Sequence, residues 1–221
     1  TGIYFLIKLH SYSHSIYCSF AMSLDPHDIA FFFEALQRMY PDNTSELVRD
    51  TPWQLLVAVV LSAQTTDKQV NKVTQKFFDV IHTPYDTLAL QPQQRYTHIR
   101  SVNYAPTKAK HLYTTAQILT QDQKKPHYHI PQSLEELMTL PGVGLKTAKV
   151  IRRVLYNTND IAVDTHVHRV LNRLGFVQTT TPLQTAKLVD KVIPDQYKYI
   201  AHHGLIMFGR YHSQARNPQF N

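Results

Sequence analysis

The sequence predicts an all-α fold of two helical lobes, with a helix–hairpin–helix motif and a groove between the lobes. Three observations carry this. Helix-start signals recur from Asp25 onward, apolar residues fall at helical spacing, and no apolar–polar alternation of the strand kind persists beyond a few residues. At 221 residues the chain is long enough for one large domain or two small ones with a real core.

Taken in order, DPHDIAFFFEALQRMY (25–40) has an aspartate cap, proline at the first helical position and apolar residues one helical turn apart. PWQLLVAVVLSAQ (52–64) is apolar almost all round and predicts a central buried helix. Asp67 is placed as the cap of DKQVNKVTQKFFDVI (67–81), with Val70, Val73, Phe77 and Val80 on one face. Two short helices are expected over 84–91 and 93–100, then a longer one over 106–121. Ser133 with Glu136, and Thr181 with Gln184, read as capping boxes. Connections are short, so the lobes are divided by composition: 25–48 with 160–221, and 49–159. Residues 1–24 read as a poorly ordered extension without a secretion signal.

The formal charge of +7 is concentrated. From Pro141 to Asn221 there are 11 lysines and arginines against 4 aspartates, so the last third carries the whole excess. That skew asks for a polyanion, although a solvated basic face would look the same. The single cysteine, Cys18, excludes a disulfide framework and points to a reducing compartment. No apolar run approaches the ~18 residues of a membrane span. These features predict no membrane partner and a cytoplasmic location, nucleoid-associated in a bacterium.

With only 6 glycines in the chain, LPGVGLKTAKV (140–150) places two of them just before a lysine. SLEELMTL, the LPGVG turn and LKTAKVIRRVLY read as a helix–hairpin–helix. Amides around Val143 and Gly144 would sit at a helix N-terminus, where unpaired N–H groups and the dipole suit a phosphate. A plain corner between two helices is the alternative. Lys146 falls in the first turn of the second helix. To attack carbon a lysine amine must be uncharged, and a helix N-terminus, partial burial and neighbouring cations all favour proton loss. Attack on the anomeric carbon of a sugar would give a Schiff base; a solvent-facing lysine is the alternative. In IAVDTHVHRVLNRLGF (161–176), Asp164 stands before an amphipathic helix. It reads either as a bare N-cap or as a carboxylate stabilising positive charge on a sugar ring.

These segments resemble the endonuclease III family, helix–hairpin–helix DNA glycosylases with apurinic/apyrimidinic lyase activity. The resemblance runs from about Asp25 to Asn217 and includes LLVAVVLSAQTTDKQVNK and HHGLIMFGRYHSQARNP. It implies a base-excision-repair enzyme that removes damaged, chiefly oxidised, pyrimidines and nicks 3′ to the abasic site by β-elimination. Its partner would be double-stranded DNA bearing damaged bases or abasic sites, bound in the groove by a monomer. Lys146 becomes the nucleophile and Asp164 its carboxylate partner. Gly142, Val143, Gly144, Thr147, Lys149, His166 and Arg169 become DNA contacts. Gln64 would fill the space left by the extruded nucleotide. A monovalent cation would sit at the carbonyls of Met138, Leu140 and Val143, and no metal is held by side chains.

Two departures from the family pattern stand out. The first two of the four cysteines that usually hold a [4Fe–4S] cluster are here Ser213 and Phe220, so the cluster is expected to be absent and the C-terminal loop held by packing, with no other cofactor. In HIRSVNYAPTKAKHL, Tyr104 after Asn103 replaces the usual leucine after glycine. Asn103 is expected to take the left-handed turn, and Tyr104 to stack on the orphaned base or to be an ordinary surface tyrosine. Two other functions fit parts of the pattern. A mismatch-specific monofunctional glycosylase would not need Lys146, and a non-catalytic hairpin protein would need neither Lys146 nor Asp164.

Overall fold

The computed structural model describes residues 25–41, 47–121 and 127–216. Eleven helices occupy them, with no strand among the described residues. The expected extension at 1–24 lies outside that range.

Local chemistry sets most helix starts. Helix α1 (Pro26–Met39) is capped by Asp25, whose carboxylate accepts the His27 N–H at 2.8 Å. Helix α2 (Pro52–Ser62) begins with a full capping box of Thr51 and Gln54, and every residue from Trp53 to Leu61 is buried. Helix α3 (Asp67–Phe77) is capped by Thr66 rather than by Asp67, which is its first residue. The helix ends at Phe77, so Val80 leaves the apolar face and is exposed, while Val70, Val73 and Phe77 are buried. Short helices α4 (Pro84–Ala89) and α5 (Pro92–Ile99) follow, then α6 (Ala105–Thr120).

Helix α7 (Leu134–Thr139) carries only half of the expected box: Ser133 caps the Glu136 N–H, but the Glu136 carboxylate accepts the Ser133 hydroxyl at 3.0 Å instead of its backbone. Helix α8 (Leu145–Tyr156) ends on left-handed Asn157, and α9 (Thr165–Arg173) starts at Asp164. Helix α10 (Pro182–Val192) has the full Thr181–Gln184 box, and α11 (Asp195–Tyr211) is the longest of the set.

Two compact units result: Ser45–Thr158, and Thr1–Thr44 with Asn159–Asn221, each counted over its described residues. In the first, α2 is the axis. It packs against α3, α6 and α8, and Leu55, Leu56, Leu61, Phe77, Leu112 and Ile151 are among the side chains sealed around it. Each such side chain contributes roughly 1.5–3 kcal/mol by leaving water. Gln54 lies in this core fully satisfied: its amide donates to the carbonyls of Ile81 (2.9 Å) and Phe78 (3.2 Å), and its oxygen accepts the Asp50 N–H at 2.8 Å.

The second unit packs α1 and α9 against α11 and α10 against α9. Aromatic rings fill its centre, with Phe33 stacked on Tyr197 at 5.1 Å and Phe32 edge-on to Phe208 at 5.5 Å. Helices α11 and α9 approach closely at Gly209, where a Cβ would lie 2.8 Å from that of His166. No described helix is long and apolar enough to cross a membrane.

Candidate functional site

The hairpin between α7 and α8 turns on Gly142, whose φ of +80° is unfavourable for any residue with a Cβ. Helix α6 backs this turn. A Cβ on Gly142 would sit 2.8 Å from Nδ1 of His111, and the Thr115 hydroxyl donates to the Pro141 carbonyl at 3.5 Å. Val143 is buried and its N–H donates to the Leu140 carbonyl at 3.0 Å. This corrects the expectation of a free amide at Val143: the bond closes the turn, and it engages one of the carbonyls assigned to a cation.

Gly144 is the N-cap of α8, and no side chain caps the helix there. The first backbone bond of the helix runs from the Ala148 N–H to the Gly144 carbonyl, so the amides of Leu145, Lys146 and Thr147 precede the ladder. Lys146 is exposed, in the first turn of α8 at the positive end of the helix, so partial burial is not among the factors that would favour its proton loss. Thr147 is half-buried. Lys149, read as a DNA contact, is 3% exposed. It lies beside Ala148 and near Ile151 on the inner side of α8, which removes it from any solvent-facing phosphate.

A second cluster joins the loops after α2 and before α6. Gln64 and Tyr104 both have left-handed backbones (φ 56° and 58°) and both are exposed, Tyr104 at 64%. The left-handed residue is therefore Tyr104 and not Asn103. Asn103 does something else: its side-chain amide donates to the Gln64 carbonyl, and its N–H donates to Thr65 Oγ1 at 3.2 Å. Beneath them lies Lys108, 5% exposed, a residue that sequence reasoning passed over. Its Nζ donates to the carbonyls of Leu61 (2.8 Å) and Ala63 (2.7 Å) and to Thr65 Oγ1 (3.4 Å). Burial pushes its ammonium below the ordinary lysine value. A signal was present: Lys108 interrupts the inward stripe of Ala105, Ala109 and Leu112 on α6.

In the other unit, Ile161, Ala162 and Val163 are buried and lead to Asp164, whose Oδ1 accepts the N–H groups of His166 (2.8 Å) and Val167 (2.9 Å). Asp164 is thus an N-cap, with both bonds on a single oxygen and the carboxylate fixed in direction. His166 is half-buried against Gly209, with Nδ1 3.2 Å from Arg169 Nη2.

Arg169, expected on DNA, is occupied within the fold. Its guanidinium donates to the carbonyls of Ser213 (2.8 Å), Gly209 (2.7 Å) and Thr165 (3.4 Å). Arg173 completes the arrangement, donating to Ser213 Oγ (3.0 Å) and to the Gln214 (2.7 Å) and Ala215 (3.4 Å) carbonyls. Burial, then the nearby charge of Arg169, pushes the Arg173 guanidinium below its ordinary value. Ser213 is 1% exposed, and a hydroxyl bonded to a guanidinium is not the thiolate that iron–sulfur iron requires. The residue at this position does not fit such a cluster; Phe220 lies outside the described residues.

The sequence and the fold are similar to those of known proteins. The model of the HhH-GPD superfamily base excision DNA repair proteins matches residues 57–195. Endonuclease III of Bacillus subtilis (strain 168) is 37% identical over 197 residues, which is 89% of either chain. That of Escherichia coli (strain K12) is 38% identical over 184 residues, covering 83% of this chain and 86% of the other. A solved non-covalent endonuclease III–DNA complex matches with a TM-score of 0.80 at 40% identity, over 89% of this chain and 91% of that one. A trapped endonuclease III–DNA covalent intermediate matches with a TM-score of 0.80 at 41% identity over the same shares. Sequence and fold agree over most of both partners in each comparison, and this protein belongs to the endonuclease III family, within the HhH-GPD superfamily of base excision DNA repair proteins.

Proposed function

We propose that the chain is a base-excision-repair DNA glycosylase with apurinic/apyrimidinic lyase activity, acting as a monomer on duplex DNA that carries damaged, chiefly oxidised, pyrimidines. The observation that carries this reading is Lys146, an exposed primary amine in the first turn of a helix whose N-terminus no side chain closes. The amides of Gly144 and the first turn of α8 take a backbone phosphate, which positions the duplex without reading its sequence. Gln64 enters the space of the extruded nucleotide, and Tyr104 stacks on the base left behind.

The uncharged Lys146 amine attacks C1′ and the base leaves with a proton. Opening of the sugar ring gives an iminium between Nζ and C1′. Loss of a C2′ proton then breaks the C3′–O bond by β-elimination, and water frees the lysine. Asp164 stabilises the positive charge that grows on the ring in the first step. Support for its role is the family motif together with a carboxylate held in one direction by two amides. Support for the covalent step is the solved relative trapped on DNA. The reading needs no iron–sulfur cluster, since no step above calls on one.

The test is borohydride trapping on a duplex with an abasic site. The native chain should form a covalent adduct and nick the strand, while Lys146→Gln should do neither. An adduct formed by that variant would remove Lys146 from the mechanism. Duplexes bearing thymine glycol, a uracil mismatch or oxidised guanine then separate an oxidised-pyrimidine enzyme from a mismatch-specific one.

A further inference from the structure

The two residues assigned above to the lesion come from different loops, one after α2 and one before α6, and the bonds of Lys108 and Asn103 tie those loops together. Lys108 binds the loop of Gln64 on either side: its Nζ donates to the carbonyl of Ala63, which precedes Gln64, and to the hydroxyl of Thr65, which follows it. A third bond, to Leu61, anchors the ammonium on the C-terminal carbonyls of α2, where the helix dipole favours a cation. Tyr104 is the N-cap of α6, and its carbonyl accepts the Lys108 N–H at 3.0 Å as the first backbone bond of that helix, so the turn of Tyr104 is fixed on the same helix that carries the Lys108 ammonium. Asn103 closes the assembly by bonding the Gln64 carbonyl and Thr65 Oγ1, and the Gln69 side chain ties α3 to Ser101 Oγ at 2.8 Å. No carboxylate pairs with Lys108 among the described residues; backbone carbonyls and one hydroxyl meet its charge.

This is an expensive arrangement to maintain. The left-handed backbones of Gln64 and Tyr104 are strained, and such strain persists only where surrounding structure over-determines it. A buried ammonium adds a desolvation cost. Solvent-exposed loops with no task would relax into ordinary conformations, and the bonds of Lys108 and Asn103 prevent that.

We propose that Lys108 is a positioning residue that holds the Gln64 loop, which Asn103 joins to the turn of Tyr104, as one preformed two-pronged probe, so that extruding a damaged base requires no rearrangement of either loop. The inference rests on the assignment of Gln64 and Tyr104 to the lesion made above. Lys108 touches no substrate in this scheme. Its loss should therefore fall on the step in which a base leaves the stack and leave the lysine chemistry intact.

Lys108→Met keeps the length of the side chain and removes its donors. Asn103→Ala, at an exposed position, loosens the same loop without disturbing the buried charge. Each is compared with the native chain in three ways: excision of a damaged pyrimidine from a duplex, cleavage and borohydride trapping at a preformed abasic site, and fluorescence of a 2-aminopurine beside the lesion. For both variants we expect excision to fall by about tenfold to a hundredfold, the scale of a misplaced contact group. The rise in 2-aminopurine fluorescence on binding should shrink, while abasic-site cleavage stays within about threefold, since an abasic sugar has no base to unstack. Equal losses on both substrates for Asn103→Ala, or undiminished excision by both variants, would overturn the proposal. If the native chain itself neither traps nor nicks abasic DNA, the failure lies with the proposed function and not with Lys108.

Discussion

Gly142 is the residue on which the hairpin depends, because its backbone lies where a Cβ is strained and His111 fills the space that a Cβ would need. Gly142→Ala should cost about 1–2 kcal/mol from the left-handed penalty alone. At this chain length each kcal/mol lowers the melting temperature by about 2–4 °C, so thermal unfolding measures the effect directly. Lys146 was legible in the sequence because a glycine turn and a helix start together fix its address. Lys149 and Arg169 were not. Both are cations in a basic segment, and only their bonding and burial tell that they face inward. Charge counts locate a cation along the chain but not on a side of its helix. Lys108 was legible in principle, as a lysine that interrupts the apolar stripe of α6. The left-handed turn falls on Tyr104 and not on Asn103 for a related reason: asparagine tolerates that region, but here its side chain is committed to the Gln64 carbonyl.

Element starts were read well where a proline and a short polar cap coincide, as at Asp25–Pro26 and Thr181–Pro182. They were misread where two candidate caps adjoin. Thr66 and Asp67 both qualify, and the threonine wins because its hydroxyl meets the Gln69 N–H while the aspartate gains from the dipole within the first turn. The C-terminal loop shows what local pattern does not reveal. Its tie is made by α9, 40 to 44 residues earlier, through Arg169 and Arg173 on carbonyls and on Ser213. The expected packing is thus joined by specific polar bonds. Arg173→Met should destabilise the unit by about 2 kcal/mol, the scale of a few charged hydrogen bonds at a partly exposed site. The loss should appear both in the thermal melt and as faster proteolytic cutting near 212–216; unchanged cutting would show that the loop is held by other contacts.

Over the whole molecule, the all-helical class followed from periodicity and caps because both are local, and the structure agrees among the described residues. The net charge of +7 works at longer range. Duplex affinity should fall by about tenfold or more between roughly 50 and 200 mM salt, since each neutralised phosphate releases counterions. A binding isotherm that ignores salt would contradict a phosphate-directed interface. The arginine tie at Ser213 has one more consequence. Guanidinium–carbonyl bonds form as soon as the polypeptide folds. Ser213 offers an oxidant no thiol, so the bonds that Arg169 and Arg173 make to this stretch withstand oxidation that would consume a cysteine at the same place.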